Sequence, residues 1–346
     1  MENKEETRKL QFTGKSSYII SLPKQWIVDL GLKQGDQIVV TRQGTSSLQI
    51  VPSKLHSKTI HGEFATFEIE HDDDAPTITR KLVSLYFLGF STINVKPKTG
   101  RLKPSQRIAV KNAVRKVLMG TEIIADSTGG MTIQVLVNLF ELSMDGAFKR
   151  MLHLAKSMLN DALLAQREAN FDVAKEVINS DDEVDRFGFY MIRQLKIAIQ
   201  NEHMLKEMGF NNQRSCLGYR IIVKNIERTG DHAVAIAKDL LEFKKPIKKE
   251  VITKINEMSE FAISVMDEAC LALFKKNFNQ AELTIQKTVN IAKYEKRVLE
   301  SIKSSKDDEE IYRVRRIIEN IRRISEYASD ISEIVLNMTI EKILRK

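Results

Sequence analysis

The sequence predicts a multi-domain, mainly α-helical protein in which a short β-rich unit precedes a small α/β domain and a long helical bundle. Three observations predict this. Strand-like segments punctuated by Gly14, Gly31, Gly35 and Gly44 fill Arg8 to Pro52. Strand and helix patterns alternate from Ser57 to about Met131, and amphipathic helices with few breakers run from about Asn138 to Lys346.

In the first stretch, "SYIISL" and "DQIVVT" are rich in β-branched residues and bounded by turn signals, and "KQWIVDLGL" between them makes two helical turns stopped by Gly31. A β-helix-β unit this small cannot bury enough surface alone. It is expected to pair with a second copy.

In the second stretch the order is "EFATFEIE" (strand), "APTITRKLVSLYFLGF" (helix), "STINVKP" (strand), "KPSQRIAVKNAVRKVLMG" (helix), then "TEIIADS" and "MTIQVLV" around Gly129 and Gly130. This points to a small α/β domain with a mixed sheet, ferredoxin-like in the simplest case. It contains no glycine loop of the kind that cradles phosphate.

The third stretch divides into six helices, roughly 133–169, 170–202, 213–243, 248–276, 277–304 and 308–344, and those six are two copies of three. "NFDVAKEVI" from Asn170 aligns with "NFNQAELTI" from Asn277, and "SMLNDALLA" from Ser157 with "SVMDEACLA" from Ser264. The third helices align Asn225 with Asn320, Arg228 with Arg323, Asp231 with Glu326 and Ile236 with Ile331. The inserted "NEHMLKEMGFNN" accounts for the longer connection in the first copy. Apolar stripes at helical spacing pack such a bundle.

The chain has 346 residues, 42% of them hydrophobic, enough for two or three cored domains, and its net charge of +8 favours an anionic partner. Cys216 and Cys270 match no metal-finger or redox spacing and read as buried thiols of a reducing compartment. The first residues, "MENKEETRKL", do not form a signal peptide, and no apolar run is long enough to span a membrane. A soluble, cytoplasmic protein without membrane insertion is expected.

The acids of the first helical copy carry the chemistry. Asp181 and Asp185 lie four apart on one helix face, as do Glu227 and Asp231 on the next helix. Four carboxylates on facing helices repel unless a cation intervenes. An all-oxygen set favours a hard divalent or trivalent ion, iron, manganese or magnesium, over zinc. The aligned positions of the second copy are Thr288, Ala292, Arg322 and Glu326, so three of the four acids are gone and an arginine has arrived. The plainer reading is a solvated face on which acids pair with Lys and Arg. His232 reads as a surface residue, and the arginine stripe of "IYRVRRIIENIRRI" as one neutralised by neighbouring acids. No nucleophile with a neighbouring base stands out, so catalysis is not expected; a metal-dependent phosphohydrolase on the acids would need an open coordination position.

The duplicated helices with "DDEVDRF", "NIERTGDHAVAIAKDLL" and "NIRRISEYASDISEIVL" resemble the PhoU family of phosphate-uptake regulators, whose E(D)xxxD motifs sit on a repeated three-helix bundle. "TGKSSYIISLPKQWIVDLGLKQGDQIVV" resembles the AbrB/SpoVT family of swapped-hairpin DNA-binding domains. The resemblance implies an AbrB-like domain over 1–56, the α/β domain over 57–132, and PhoU repeats over 133–245 and 246–346. It implies metal on Asp181, Asp185, Glu227 and Asp231, one centre where relatives can carry two. It also implies a homodimeric regulator of phosphate homeostasis, acting on DNA or through a phosphate transporter or sensor component.

The hairpin departs from its family, which commonly places two arginines on the short helix after the proline, where this chain has Ile27 and Val28. The remaining DNA-facing candidates are Arg8, Lys9, Lys15, Lys24 and Arg42, suited to phosphate contacts more than to base reading. The alternative is a hairpin that only dimerises an interaction module which damps a phosphate transporter or signalling partner.

Overall fold

The structure, a computed structural model, describes residues 6–14, 17–43, 47–53, 64–136, 142–200, 202–210, 212–243, 245–342 and 344. The chain divides into two compact units, Met1–Glu63 and Phe64–Lys346.

The first unit contains two antiparallel strand pairs. β1 (Gln11–Thr13) pairs with β2 (Ser17–Ile19), and β3 (Ile38–Gln43) with β4 (Ser47–Pro52). Between them lies α1 (Lys24–Asp29), ended at Gly31, whose φ of 64° is the left-handed conformation that glycine adopts without penalty. Pro52 is the only buried residue among those described here, while Phe12, Tyr18, Val40 and Leu48 are each more than half exposed. So small a unit leaves much of its apolar surface open.

The second unit begins with a four-stranded sheet in the order β5-β6-β8-β7. Its strands are β5 (Phe64–Ile69), β6 (Thr92–Pro97), β7 (Thr121–Ser127) and β8 (Gly130–Val135). β5 and β6 are parallel and joined by α2 (Ala75–Phe87), whereas β8 runs antiparallel to both its neighbours. α3 (Pro104–Asn112), prolonged by a π turn, leads from β6 to β7. The order β-α-β-α-β-β with a parallel first pair rules out the ferredoxin-like arrangement. One sheet face is apolar, with Ile93, Val95, Met131 and Ile133 buried against Ile78, Leu82 and Val110 of the two helices.

The bundle follows. α4 (Met144–Glu168), α5 (Phe171–Gln200) and α7 (Arg214–Phe243) form the first repeat, with the short α6 (Glu202–Glu207) in the longer connection that the alignment places there. α8 (Lys249–Lys275), α9 (Phe278–Thr288), α10 (Ile291–Ile302) and α11 (Asp308–Thr339) form the second. Two elements differ from expectation. The first helix starts at Met144, capped by Ser143 Oγ accepting from Gly146 N at 3.1 Å, because β8 claims the chain as far as Val135. The fifth is broken at Val289-Asn290, where Thr288 Oγ1 donates to Ile285 O at 2.7 Å and Asn290 Nδ2 to Lys287 O at 3.0 Å, side-chain bonds that compete with the helix ladder.

The repeat is visible in the backbone itself. Ala169 and Lys276, equivalent positions, are the two non-glycine residues with positive φ, at 51° and 46°, among the described residues. Each closes a helix, and the asparagine after each caps the next: Asn170 Oδ1 accepts from Val173 N at 3.2 Å and Asn277 Oδ1 from Gln280 N at 3.1 Å.

The α/β domain is fastened to α5 through a buried arginine. Arg193, 5% exposed, donates to the carbonyls of Tyr86, Gly89 (3.0 Å) and Phe90 (3.0 Å) at the end of α2, and its guanidinium lies 4.8 Å from the Tyr86 ring. It thereby satisfies carbonyls that a helix C-terminus leaves orphaned. Phe87 meets Phe189 edge-to-face at 5.6 Å beside it. Arg193→Met removes the donors while keeping much of the volume, and is expected to cost on the order of 2–4 kcal/mol in denaturant unfolding. A cost below about 0.5 kcal/mol would show that the arginine does not hold the junction.

Candidate functional site

The four acids proposed as a set lie on two helices whose charges influence one another. α5 carries Asp181 and Asp185, α7 carries Glu227 and Asp231, and these helices pack against each other. Two glycines lie at the crossing. A Cβ placed on Gly230 would stand 3.4 Å from Val184 Cγ1 and 3.6 Å from Asp181 Oδ1; one on Gly188 would stand 3.2 Å from Met151 Cε and 3.8 Å from Glu227 Oε2. The second repeat has Glu295 and Ser325 at the equivalent positions.

Burial and mutual repulsion act on the carboxyls. Asp181 is pushed up to about 6, first by burial and then by the charges of Asp231, Asp182 and Glu227, with Lys238 opposing. Asp185 is pushed up to about 7, first by burial and then by Glu227, Asp181 and Asp231, with Lys224 opposing. Asp181 Oδ1 is buried and has no hydrogen-bond partner among the described residues. Glu227 is 8% exposed and forms an ion pair with Lys224, whereas Asp231 is exposed at the rim. Asp182, outside the predicted set, reaches Lys116 of the α/β domain at 3.8 Å.

The chemistry of this donor set suits a hard cation: four carboxylates, one with an orphaned buried oxygen. The arrangement goes only part of the way, since no three His, Cys, Asp or Glu side chains among the described residues are placed to hold a metal ion together. Lys224 meanwhile supplies positive charge to Glu227.

In the second repeat an internal cation takes that role. Arg322 pairs with Glu326 and, at 2.6 Å, with Glu319; Arg323 reaches Glu326 at 2.9 Å. Thr288 is 7% exposed and bonded to its own helix. Further along the arginine stripe, Arg316 pairs with the fully buried Asp239 at 2.6 Å, and Arg313 is buried against Gln166. These cations are largely consumed within the fold.

His232 is not the surface residue that its sequence neighbourhood suggests. One ring nitrogen lies 2.6 Å from Asn320 Oδ1 and the other 3.0 Å from Tyr327 Oη, bridging α7 to α11. His232 and Tyr327 are equivalent under the alignment that equates Asn225 with Asn320, so the bridge sits between the two copies. That equivalence was the available signal.

The DNA-facing candidates are less gathered. Arg8 pairs with Glu6, Lys9 and Lys24 are exposed, and Arg42 lies in β3 opposite Leu48. Lys15 lies outside the described residues. Val28 is exposed and Ile27 half-buried where the family's arginines would stand.

The raised carboxyls fix a sign. A carboxyl whose folded value lies above its unfolded value of about 3.8 keeps its proton in the folded chain over a window in which the unfolded chain has lost it. Its contribution to stability therefore falls as pH rises from about 4 to about 7. In chelator-treated protein, Asp181→Asn with Asp185→Asn is expected to raise stability by roughly 1–3 kcal/mol at pH 8, allowing for partial exposure, and by much less at pH 4.5. Thermal melts giving the same difference at both pH values would contradict mutual repulsion.

Comparison with known proteins accords with the two helical repeats. The PhoU domain model matches residues 148–240 and 255–335, half of the chain, and the two stretches fall on the two repeats. Residues 11–57 match the model of MazE, an antidote-toxin recognition bacterial antitoxin. The phosphate-specific transport system accessory protein PhoU homolog of Aquifex aeolicus (strain VF5) is 28% identical over 140 residues, 40% of this chain and 61% of that protein. The chain thus spans less than two thirds of the length of this relative. The phosphate transport system regulatory protein PhoU from Streptococcus pneumoniae is 20% identical, with a TM-score of 0.47 over 59% of this chain and 96% of that one. PhoU from Pseudomonas aeruginosa is 16% identical, with a TM-score of 0.48 over 57% and 96%. The chain belongs to the PhoU family, with a MazE/AbrB-like unit at its N-terminus.

Proposed function

We propose that this chain is a cytoplasmic regulator of phosphate uptake that works as a homodimer, contacting DNA through its N-terminal unit and a cation through its first helical repeat. The observation that carries the reading is the fusion of a two-repeat PhoU bundle to a hairpin unit whose apolar surface lies open. The curated relative is named an accessory protein of phosphate-specific transport, which supports a regulatory role and not a catalytic one. Asp181, Asp185, Glu227 and Asp231 are the residues that would hold iron, manganese or magnesium, and the ion would supply the charge that relieves their repulsion.

The open apolar surface supports dimerisation. Leu22, Trp26, Ile27, Ile38 and Ile50 line an apolar cleft of about 380 Å³ in the first unit, next to the exposed Val40 and Leu48. A second copy of the same unit would cover these side chains. In light scattering the chain is expected to run at twice its 39.6 kDa, and Val40→Asp at the monomer mass. A wild-type monomer would sink the dimer.

The second reading, a non-DNA-binding module that damps a phosphate transporter or signalling partner, is favoured by one observation: apolar Ile27 and Val28 stand where the family's DNA-contacting arginines would be. Mobility shift on the DNA upstream of the chain's own coding region separates the two. The leading reading expects a shift at about 50 mM salt that weakens at least about tenfold by 200 mM, as counterion release dictates. No shift at the lower salt would leave the interaction module.

A further inference from the structure

We propose that the end of the bundle where α7 begins and α11 ends docks on the surface of an anionic lipid bilayer. The inference goes beyond the regulatory reading above and does not depend on it.

Local sequence builds this surface. α7 opens with "RSCLGYRIIVK", in which Cys216, Tyr219, Ile222 and Val223 are buried in the bundle. Arg214, Leu217, Ile221 and Lys224 follow at helical spacing on its outward side, with Arg220 beside them. Leu217 is 65% exposed and Ile221 52%. The equivalent positions of α11 hold Tyr312 and Arg316, so the repeated fold itself does not require an aliphatic pair there.

Two neighbouring helices extend the surface. α11 lies so close to Gly218 that an added Cβ would stand 2.8 Å from Ile334 Cγ2 and 3.0 Å from Met338 Sδ. The last turns of α11 therefore sit beside the first turns of α7, and the chain just beyond them exposes Ile340 and Leu344. α5 ends at the same place: Gln213 Nε2, one residue before Arg214, donates to Ile199 O at 2.9 Å, and Ile199 is exposed as well.

Charge decides between occupants. Among the described residues no acidic side chain pairs with Arg214 or Arg220, whereas Arg316, Arg322 and Arg323 of α11 are paired within the fold. The sequence around Leu344, "EKILRK", adds three cations against one acid. Aliphatic side chains rimmed by unpaired guanidinium groups match the lipid-water boundary: the aliphatic groups enter the acyl region and the long arginine stems reach headgroup phosphates. A nucleic acid would satisfy the arginines and leave the aliphatic groups in water. A second copy of the same surface would set arginine against arginine. The proposed contact is peripheral, since no helix among the described residues is long and apolar enough to cross a membrane.

Vesicle co-sedimentation of the full chain at low salt tests this, comparing phosphatidylcholine vesicles that contain about 30% phosphatidylglycerol with pure phosphatidylcholine vesicles. The anionic vesicles are expected to bind the chain at least about tenfold more tightly. Two double variants at exposed positions locate the contact: Leu217→Ser with Ile221→Ser, and Arg214→Gln with Arg220→Gln. Each is expected to weaken binding to the anionic vesicles at least about tenfold while preserving the helical circular dichroism spectrum. No binding to the anionic vesicles, equal binding to the neutral ones, or unchanged binding in either double variant would overturn the proposal. So would a halved mass of the Leu217→Ser, Ile221→Ser chain in light scattering, because a second copy would then be what covers the surface.

Discussion

The close approach of α5 and α7 is the constraint on which the first repeat turns. Packing two helices that each carry a pair of carboxyls on the shared face is electrostatically unfavourable, and the apolar contacts around the crossing hold it. Gly188 and Gly230 lie at that crossing, where an added Cβ would make ordinary contacts with Glu227 Oε2 at 3.8 Å and Asp181 Oδ1 at 3.6 Å. What results is a half-buried group of acids with an orphaned oxygen and raised carboxyl values, held by a rigid apolar bundle. Such a group is poised to respond to any positive charge that reaches it.

The second repeat shows the other way to satisfy the same fold. Its glycines are replaced, its second helix is broken between the two positions aligned with Asp181 and Asp185, and Arg322 neutralises the acids that remain. The copies are joined at His232, Asn320 and Tyr327. Because α5 also carries Arg193 and Asp182, the helix that bears half of the acids is also the one on which the α/β domain rests.

Much of this was legible in the sequence, for reasons that are local. The offset between Asn170 and Asn277 is legible because both asparagines cap the next helix in the same way, after the left-handed Ala169 and Lys276. The acid pairs were legible because four-residue spacing is a helix property, and the burial of Cys216 and Cys270 followed their apolar settings. What was hidden depends on distant chain. The sheet order needs to know that β8 inserts between β6 and β7, which strand periodicity does not encode. His232 finds partners 88 and 95 residues away, and the break after Thr288 comes from side-chain bonds rather than from a glycine or proline.

In the proposed function the first repeat is a centre for positive charge and the second is scaffold. Elemental mass spectrometry on protein purified without chelators and then offered iron, manganese and magnesium tests it most directly, comparing the unaltered chain with Glu227→Ala and Glu326→Ala. Metal is expected in the unaltered chain, retained in Glu326→Ala and lost in Glu227→Ala. Metal-free protein in all three preparations, or equal loss in both variants, would contradict it.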